Sequence, residues 1–327
     1  MKAVLCKVHG PPESLVVEDI PSEPCGTGQV RVRVRAAGVN FPDLLIIQGQ
    51  YQFKPPLPFS PGAEVAGEVL EVGPGVTSLR PGDPVIGQTG WNGFREEVVL
   101  AEAQCLRRPD SMDAETGAAL SMTYGTSYHA LVQRGRLRAG ETLVVLGATG
   151  GVGTAAVELG KLLGARVIAA GGDDAKLARV KEAYGADATI NYRTGAPLRD
   201  QIRDLTGGAG ADVVYDPLGG ELFEQSLRSM AWDGRLLVVG FASGTIPSVK
   251  ANLALLKGCS IVGVFWGAFT ARERDRNLEN FREIFSIWEA GRLRPLISHR
   301  FPLEQATQAL QALARREVVG KAILTVA

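Results

Sequence analysis

The residues of this chain whose types and spacing could do chemistry are concentrated in one glycine-rich turn, Gly147-Ala148-Thr149-Gly150-Gly151-Val152-Gly153. The chemistry would be anion binding. Gly150 has no Cβ, so the backbone there can come close to a pyrophosphate, and Gly153 lets a helix pack tightly on the preceding strand. The helix N-terminus adds free N–H groups and the positive end of its dipole. The first glycine of the G-x-G-x-x-G fingerprint falls on Ala148, and a bare glycine match is weak. The flanking elements supply the context that confirms it. Thr142 to Leu146 is an apolar, β-branched run, read as a buried parallel strand. Thr154 to Leu163 is small and apolar and reads as a helix, with Gly164 as its C-cap. Together they predict a dinucleotide site.

Other reactive side chains form no such pattern. His9, His129 and His299 are unpaired by any motif, so packing or surface placement is preferred to a triad or a metal site. There is no G-x-S-x-G, and serine and cysteine nucleophiles have no visible base partner. Cys6, Cys25, Cys105 and Cys259 are scattered without a C-x-x-C pair. They read as free thiols in a reducing cytosol, with neither a zinc site nor a disulfide framework.

The chain has 327 residues, enough for two domains with proper cores. Lysine and arginine balance aspartate and glutamate, 35 against 35, so no electrostatic case exists for nucleic acid or an anionic membrane. No apolar run reaches the length of a membrane span. The opening segment reads as a strand and lacks a signal peptide's apolar region, so a cytoplasmic protein is expected.

The elements that would position the turn follow two different patterns. Residues 1 to about 120 read as short strands punctuated by glycine and proline, a partly closed β-barrel or sandwich. Val30-Arg-Val-Arg-Val-Arg35 alternates strictly, valines inward and arginines on a solvated face. Pro55 to Pro61 is too proline-rich for helix or central strand and reads as a rigid loop. Asp113 to Gln133 predicts helices leading into a second domain. From Glu141 strands and helices alternate, with strands near 142–146, 166–170, 188–191, 212–215, 235–239 and 260–265. That is a doubly wound parallel sheet with its ligand over the strand C-terminal ends. A charged helix over 271–290, a helix over 303–315 and a strand over 322–326 are expected to return to the first domain.

The motifs Ala37-Gly-Val-Asn-Phe-Pro-Asp43, Pro61-Gly-Ala-Glu-Val-Ala-Gly67, Pro81-Gly-Asp83, Thr123-Tyr-Gly-Thr126, Ala148-Thr-Gly-Gly-Val-Gly153 and Val214-Tyr-Asp216 occur in this order along nearly the whole chain. With them the sequence resembles the medium-chain dehydrogenase/reductase superfamily, and within it the zinc-free quinone oxidoreductase (ζ-crystallin-like) group. The resemblance implies an α/β protein. A GroES-like β-rich catalytic domain covers 1–122 and 267–327, and a Rossmann domain that binds NADP covers 123–266. It implies an NADPH-dependent reductase that passes hydride to quinones or α,β-unsaturated carbonyls. A 2-alkenal or enoyl-thioester reductase, or a non-catalytic NADPH-binding protein of crystallin-like or sensor type, are the alternatives. It also implies a homodimer joined by edge strands, with Ser260 to Phe265 as the candidate edge.

Where the superfamily's alcohol dehydrogenases hold catalytic zinc through Cys, His and Cys, this chain has Asn40, Ala63 and Met122. Ala and Met do not suit zinc, so no metal is expected. The resemblance places Asn40 near the nicotinamide, where its amide would donate to a carbonyl gaining negative charge. Tyr51 would donate a hydrogen bond or pack on the nicotinamide. Asp43 would hold the turn. Gly151 and Val152 join Gly150 and Gly153 in the cofactor set. At the end of the second strand an NAD enzyme would carry an acid, and here stands Gly171, leaving room for a 2′-phosphate held by Lys176 and Tyr192. Asp173 and Asp174 would repel that phosphate unless they cap the next helix. Thr126 is expected near the cofactor phosphates or the nicotinamide, Gly240, Phe241 and Phe265 at the cofactor rim, and Arg315 or Arg316 either reaches the adenosine phosphate or is a solvated arginine. NADPH is favoured over NADH.

Overall fold

The longest strand of the first half, Gln29–Val39, carries the alternating valines and arginines and shows what they are for. Val30, Val32 and Val34 are fully buried, and Arg31, Arg33 and Arg35 lie on the other face. The computed structural model describes all residues, 1–327. In chain order the first elements are β1 (Lys2–Leu5), β2 (Val16–Asp19), β3 (Gln29–Val39), α1 (Phe41–Ile47), β4 (Glu64–Val72), β5 (Pro84–Gln88), β6 (Glu97–Ala101), β7 (Cys105–Arg107) and α2 (Ala114–Tyr128). Then follow β8 (Thr142–Val145), α3 (Gly151–Leu162), β9 (Arg166–Gly171), α4 (Asp174–Tyr184), β10 (Ala188–Asn191), α5 (Leu198–Leu205), β11 (Ala211–Asp216), α6 (Glu221–Arg228) and β12 (Met230–Val238). The chain ends with α7 (Asn252–Lys257), β13 (Ser260–Gly263), α8 (Trp266–Arg272), α9 (Arg274–Glu289), β14 (Ile297–Pro302), α10 (Ala306–Ala314) and β15 (Lys321–Thr325). No helix is long and apolar enough to cross a membrane.

The chain divides into two compact units, 1–122 with 297–327, and 123–296. In the first, a seven-stranded sheet runs β14-β15-β3-β4-β5-β7, with β6 also paired to β3. One edge of β3 is shared: Gln29 to Arg33 pair with β6, and Ala36 to Val39 pair with β15. Register shifts within the β3–β4 ladder accompany that change of partner. The core is aliphatic, built from Val30, Val32, Val65, Val85 and Leu100 together with Leu310, Ala322 and Leu324 of the returning segment.

The second unit holds a six-stranded parallel sheet in the order β10-β9-β8-β11-β12-β13. That is the doubly wound order expected, with the switch of direction beside β8. Its strands are apolar because helices cover both faces. Val144, Ile168, Val214 and Leu236 are all fully buried.

The return to the first unit comes at Ile297, not at 267 as expected. Residues 266–289 belong with the second unit because their buried face meets its own residues. The Trp266 and Phe281 rings meet edge-on at 6.5 Å, and Trp266 presses on Gly125. Phe269 stacks on His129 at 4.0 Å, Gln133 Nε2 donates to Asn280 Oδ1 at 2.6 Å, and Tyr128 Oη donates to Glu283 at 3.0 Å. The single charged helix expected over 271–290 is two, broken at Glu273 between α8 and α9.

Candidate functional site

The glycine turn links β8 to α3. Leu146 N–H donates to Tyr215 O at 3.0 Å and Ala148 N–H to Ala170 O at 3.0 Å, which fixes the turn between β11 and β9. The tight bend falls on Gly147, at φ 57°, one residue before the fingerprint's first position. Ala148 therefore needs no left-handed conformation, and its methyl is fully buried. Gly150 is the N-cap of α3, in extended backbone at φ −86°, ψ 174°, and α3 has no side-chain cap. Its first N–H groups are thus left to an outside partner.

The glycines serve different ends. A Cβ at Gly153 would run into the backbone of Gly147 and lie 2.9 Å from Ala148 Cα, so this glycine seats the helix against the turn. A Cβ at Gly150 would meet only Gly147 O, at 3.5 Å, ordinary contact. Neither backbone conformation nor internal packing asks for glycine at 150. A ligand lying close against the backbone would. This open cradle fits a pyrophosphate.

Ser127, which the sequence reading passed over, ties α2 to the cradle. Its hydroxyl donates to Val152 O at 2.9 Å and pairs with the buried Tyr215 hydroxyl at 3.0 Å. It is flagged in sequence only by its neighbour Thr126, which is half-buried on the same helix.

At the end of β9, Gly171 O accepts from Tyr192 N–H at 3.0 Å. Lys176 stands in the first turn of α4. Asp173 is spent as that helix's N-cap, its carboxylate accepting from Lys176 N–H at 3.0 Å. A second basic group stands at this strand end, where Arg193 packs against Gly172 so closely that a Cβ there would be 2.8 Å from its Nε. A base directly after Tyr192 was the available signal. Gly240 and Phe241 follow β12, and Phe265 follows β13. All stand beyond the carboxyl ends of parallel strands, the same edge of the sheet as the glycine turn. Phe241, 38% exposed, lies against Gly219, and Phe265 is 50% exposed as the N-cap of α8. Asp216 turns the chain after β11, its Oδ1 accepting from Leu218 N–H at 2.8 Å and Gly219 N–H at 2.9 Å. Burial pushes its carboxyl up against the pull of these donors. Arg315 and Arg316 follow α10 in the first unit.

The first unit holds a buried polar cluster at the end of β3. Asn40 is the N-cap of α1 and only 7% exposed. Its Oδ1 accepts from Lys321 Nζ at 2.7 Å, and its Nδ2 donates to Glu64 Oε1 at 2.9 Å and to Gly38 O at 3.2 Å. Lys321 Nζ also donates to Glu64 Oε1 at 2.6 Å and to Val39 O at 3.4 Å. The other Glu64 oxygen accepts from Ser121 Oγ at 2.7 Å and Met122 N–H at 2.8 Å. Asp43 holds the turn as expected, accepting from Asn40 N–H at 2.8 Å and Gly62 N–H at 3.1 Å. Burial pushes its carboxyl up to about 7, while the Asn40 N–H, the Lys321 ammonium and the Gly62 N–H pull it down. Tyr51 packs half-buried on this unit's core, its ring 6.0 Å from Phe53, and burial pushes its phenol up, so it stays protonated and a donor.

The Asn40 amide already has partners of its own. Both N–H bonds are engaged, and a carbonyl can be received only by exchange. Lys321 was missed, and Glu64 stood only as a member of the Pro61–Gly67 motif, with no part in the site. Ala63 is buried and Met122 half-buried beside this cluster. Nowhere do three His, Cys, Asp or Glu side chains stand together as a metal-ligand set.

Comparison with known proteins supports the resemblance. The profile described as alcohol dehydrogenase GroES-like domain matches residues 26–110, and that described as zinc-binding dehydrogenase matches residues 151–283. A quinone oxidoreductase-like protein 2 homolog of Nematostella vectensis is 42% identical over 99% of this chain and 88% of its own length. A quinone oxidoreductase of Pseudomonas aeruginosa is 36% identical over 99% of both chains. Among solved structures, the quinone oxidoreductase of Pseudomonas syringae pv. tomato superposes with a TM-score of 0.92 at 32% identity, covering 99% of each chain. That of Escherichia coli, complexed with NADPH, gives 0.92 at 27% identity over 99% of this chain and all of the other. The fold, the motifs and these matches together establish that the chain belongs to the quinone oxidoreductase group of the medium-chain dehydrogenase/reductase superfamily of oxidoreductases.

Proposed function

We propose that this protein is a cytoplasmic, NADPH-dependent reductase that acts on quinones or on the β-carbon of α,β-unsaturated carbonyls, without zinc. The observation that carries the reading is Gly150, a glycine with no internal reason to be one, at the N-terminus of an uncapped helix. The NADPH held by the E. coli relative supports the choice of ligand. Gly150, Gly151, Val152 and Gly153 receive the pyrophosphate. Lys176, Tyr192 and Arg193, with the neighbouring acid Asp173 turned to capping, receive a 2′-phosphate beside Gly171. Thr126, Gly240, Phe241 and Phe265 line the remaining rim.

Bound NADPH supplies a hydride. On the acceptor side, Asn40 keeps its shorter bond to Glu64 and exchanges the longer one, to Gly38 O, for the acceptor's carbonyl oxygen. Tyr51, protonated and half-buried, is the second donor to that oxygen. Both steady the negative charge that grows there, and water supplies the final proton. Asn40, Ala63 and Met122 offer no zinc a ligand set, which limits the enzyme to acceptors that take hydride readily. The protein acts as a homodimer, and the exposed edge strand β13 supports this reading as the seam.

A steady-state panel tests the reading. NADPH is expected to be oxidised with 1,4-benzoquinone or a simple enone, at least tenfold more efficiently than NADH, a preference of about 1.4 kcal/mol. Overnight dialysis against a zinc chelator should leave the rate unchanged. Tight NADPH binding with no turnover on any quinone or enone would make it a binding protein instead, and loss of rate on chelation would return it to the zinc enzymes.

A further inference from the structure

We infer that Lys321 is a positioning residue for the reduction, fixing and polarising the amide of Asn40. The inference rests on the reading of Asn40 as the group that receives the acceptor carbonyl.

Lys321 is the first residue of β15 and is 3% exposed. Its ammonium has three donors and three acceptors: Glu64 Oε1 at 2.6 Å, Asn40 Oδ1 at 2.7 Å and Val39 O at 3.4 Å. Stability does not explain it. A buried ion pair pays desolvation on both charges, and replacing both partners by apolar side chains of similar volume is commonly neutral or better. Removing the lysine alone is different, because it leaves the Glu64 carboxylate, 1% exposed, buried without its cation.

The arrangement does explain the amide. With the ammonium on one side of Asn40 and the carboxylate of Glu64 on the other, only one sense of the amide is tolerated. Oδ1 faces the cation and Nδ2 faces the anion. Rotated by half a turn, the amide would meet like polarity on both sides. The charges therefore decide which atom of Asn40 is left for the acceptor, and it is an N–H. The ammonium on Oδ1 also draws electron density from the amide and strengthens that N–H as a donor, as chained hydrogen bonds do in a low-dielectric interior. Glu64 keeps the cluster neutral and is held by Ser121 and Met122, so it does not turn towards the acceptor. Gly38 lets the strands close around it, because a Cβ there would strike both the Glu64 carboxylate and Ala118 O.

A double-mutant cycle on the full-length protein, with kcat and KM for a series of benzoquinones, tests this. K321M should lower kcat about 10- to 100-fold while KM for the quinone and NADPH affinity by fluorescence titration change less than about threefold. The loss should grow for quinones that accept hydride less readily, and K321R, which keeps the charge, should recover most of it. In an N40A background K321M should cost nothing further, because its effect runs through Asn40. If K321M does not fold, K321Q takes its place in the cycle. Additive losses in the double variant, or a K321M enzyme with wild-type kcat, would overturn the inference alone. A wild type that oxidises NADPH with no quinone or enone would overturn it together with the proposed function.

Discussion

At the scale of the residue, Asp43 shows how a buried acid can serve structure and still leave a pH signature. Both of its oxygens accept backbone N–H groups, yet burial dominates and the folded state binds its proton more tightly than the unfolded chain, about 7 against 3.8. Its contribution to stability is then fully present below about 3.8 and is lost as the pH rises through about 7. Asn at this position does not titrate. The urea-derived stability of the wild type minus that of D43N should therefore fall between pH 4 and pH 8, by a few kcal/mol at about 1.4 kcal/mol per pH unit. A difference that grows with pH would mean that the N–H donors outweigh burial. Asp43 and Asn40 were legible in one motif because they are three residues apart. Lys321 was not, since it reaches Asn40 across 281 positions of sequence. A lysine beginning an apolar strand looks like an exposed end until the pairing of Ala322 with Val39 brings it inside.

At the scale of the element, the strand–turn–helix unit makes separable demands on its glycines. G153A forces α3 off the turn, since the obstructing atoms are backbone of Gly147 and Ala148. It should lower the melting temperature by several degrees, a cost of about 1–3 kcal/mol, and weaken NADPH binding as a consequence. G150A meets nothing closer than 3.5 Å and sits in extended backbone, so its melting temperature should stay within about a degree of wild type. Its NADPH affinity should nonetheless fall tenfold or more, because the new methyl occupies the ligand's side of the turn. Equal melting losses in both variants would show that glycine at 150 serves the fold. This unit could be read in advance because its period and its glycines agree. The helices at 266–289 could not be placed, and the reason is chemical. Their buried face carries Asn277 and Asn280, which pair with Trp266 and Gln133 inside the second unit. In the sequence these look like the wet side of a charged helix.

At the scale of the whole molecule, β13 is the last strand of the parallel sheet and has a partner on one side only. An open edge of this kind invites another strand. Its own surroundings are apolar. Ile261 is 42% exposed, Leu255 and Leu256 of the preceding helix are 79% and 71% exposed, and Trp232 is 76% exposed, its ring against Gly258. Isolated exposed apolar side chains need no explanation, but a group of four around one unprotected edge does. No proline or lysine lies within Ser260–Gly263 to blunt the edge. Two copies pairing β13 antiparallel about a twofold axis would bury this group and join two six-stranded sheets into one. I261K places a charge on the seam while leaving the fold alone, since the side chain already reaches solvent. Light scattering should therefore find a dimer for wild type and a monomer for I261K, with the far-UV spectrum unchanged. The glycine turn follows β8, an inner strand separated from β13 by β11 and β12, so NADPH affinity should survive the loss of the dimer within about twofold. A wild type that is monomeric at micromolar concentration would leave the apolar edge to some other partner.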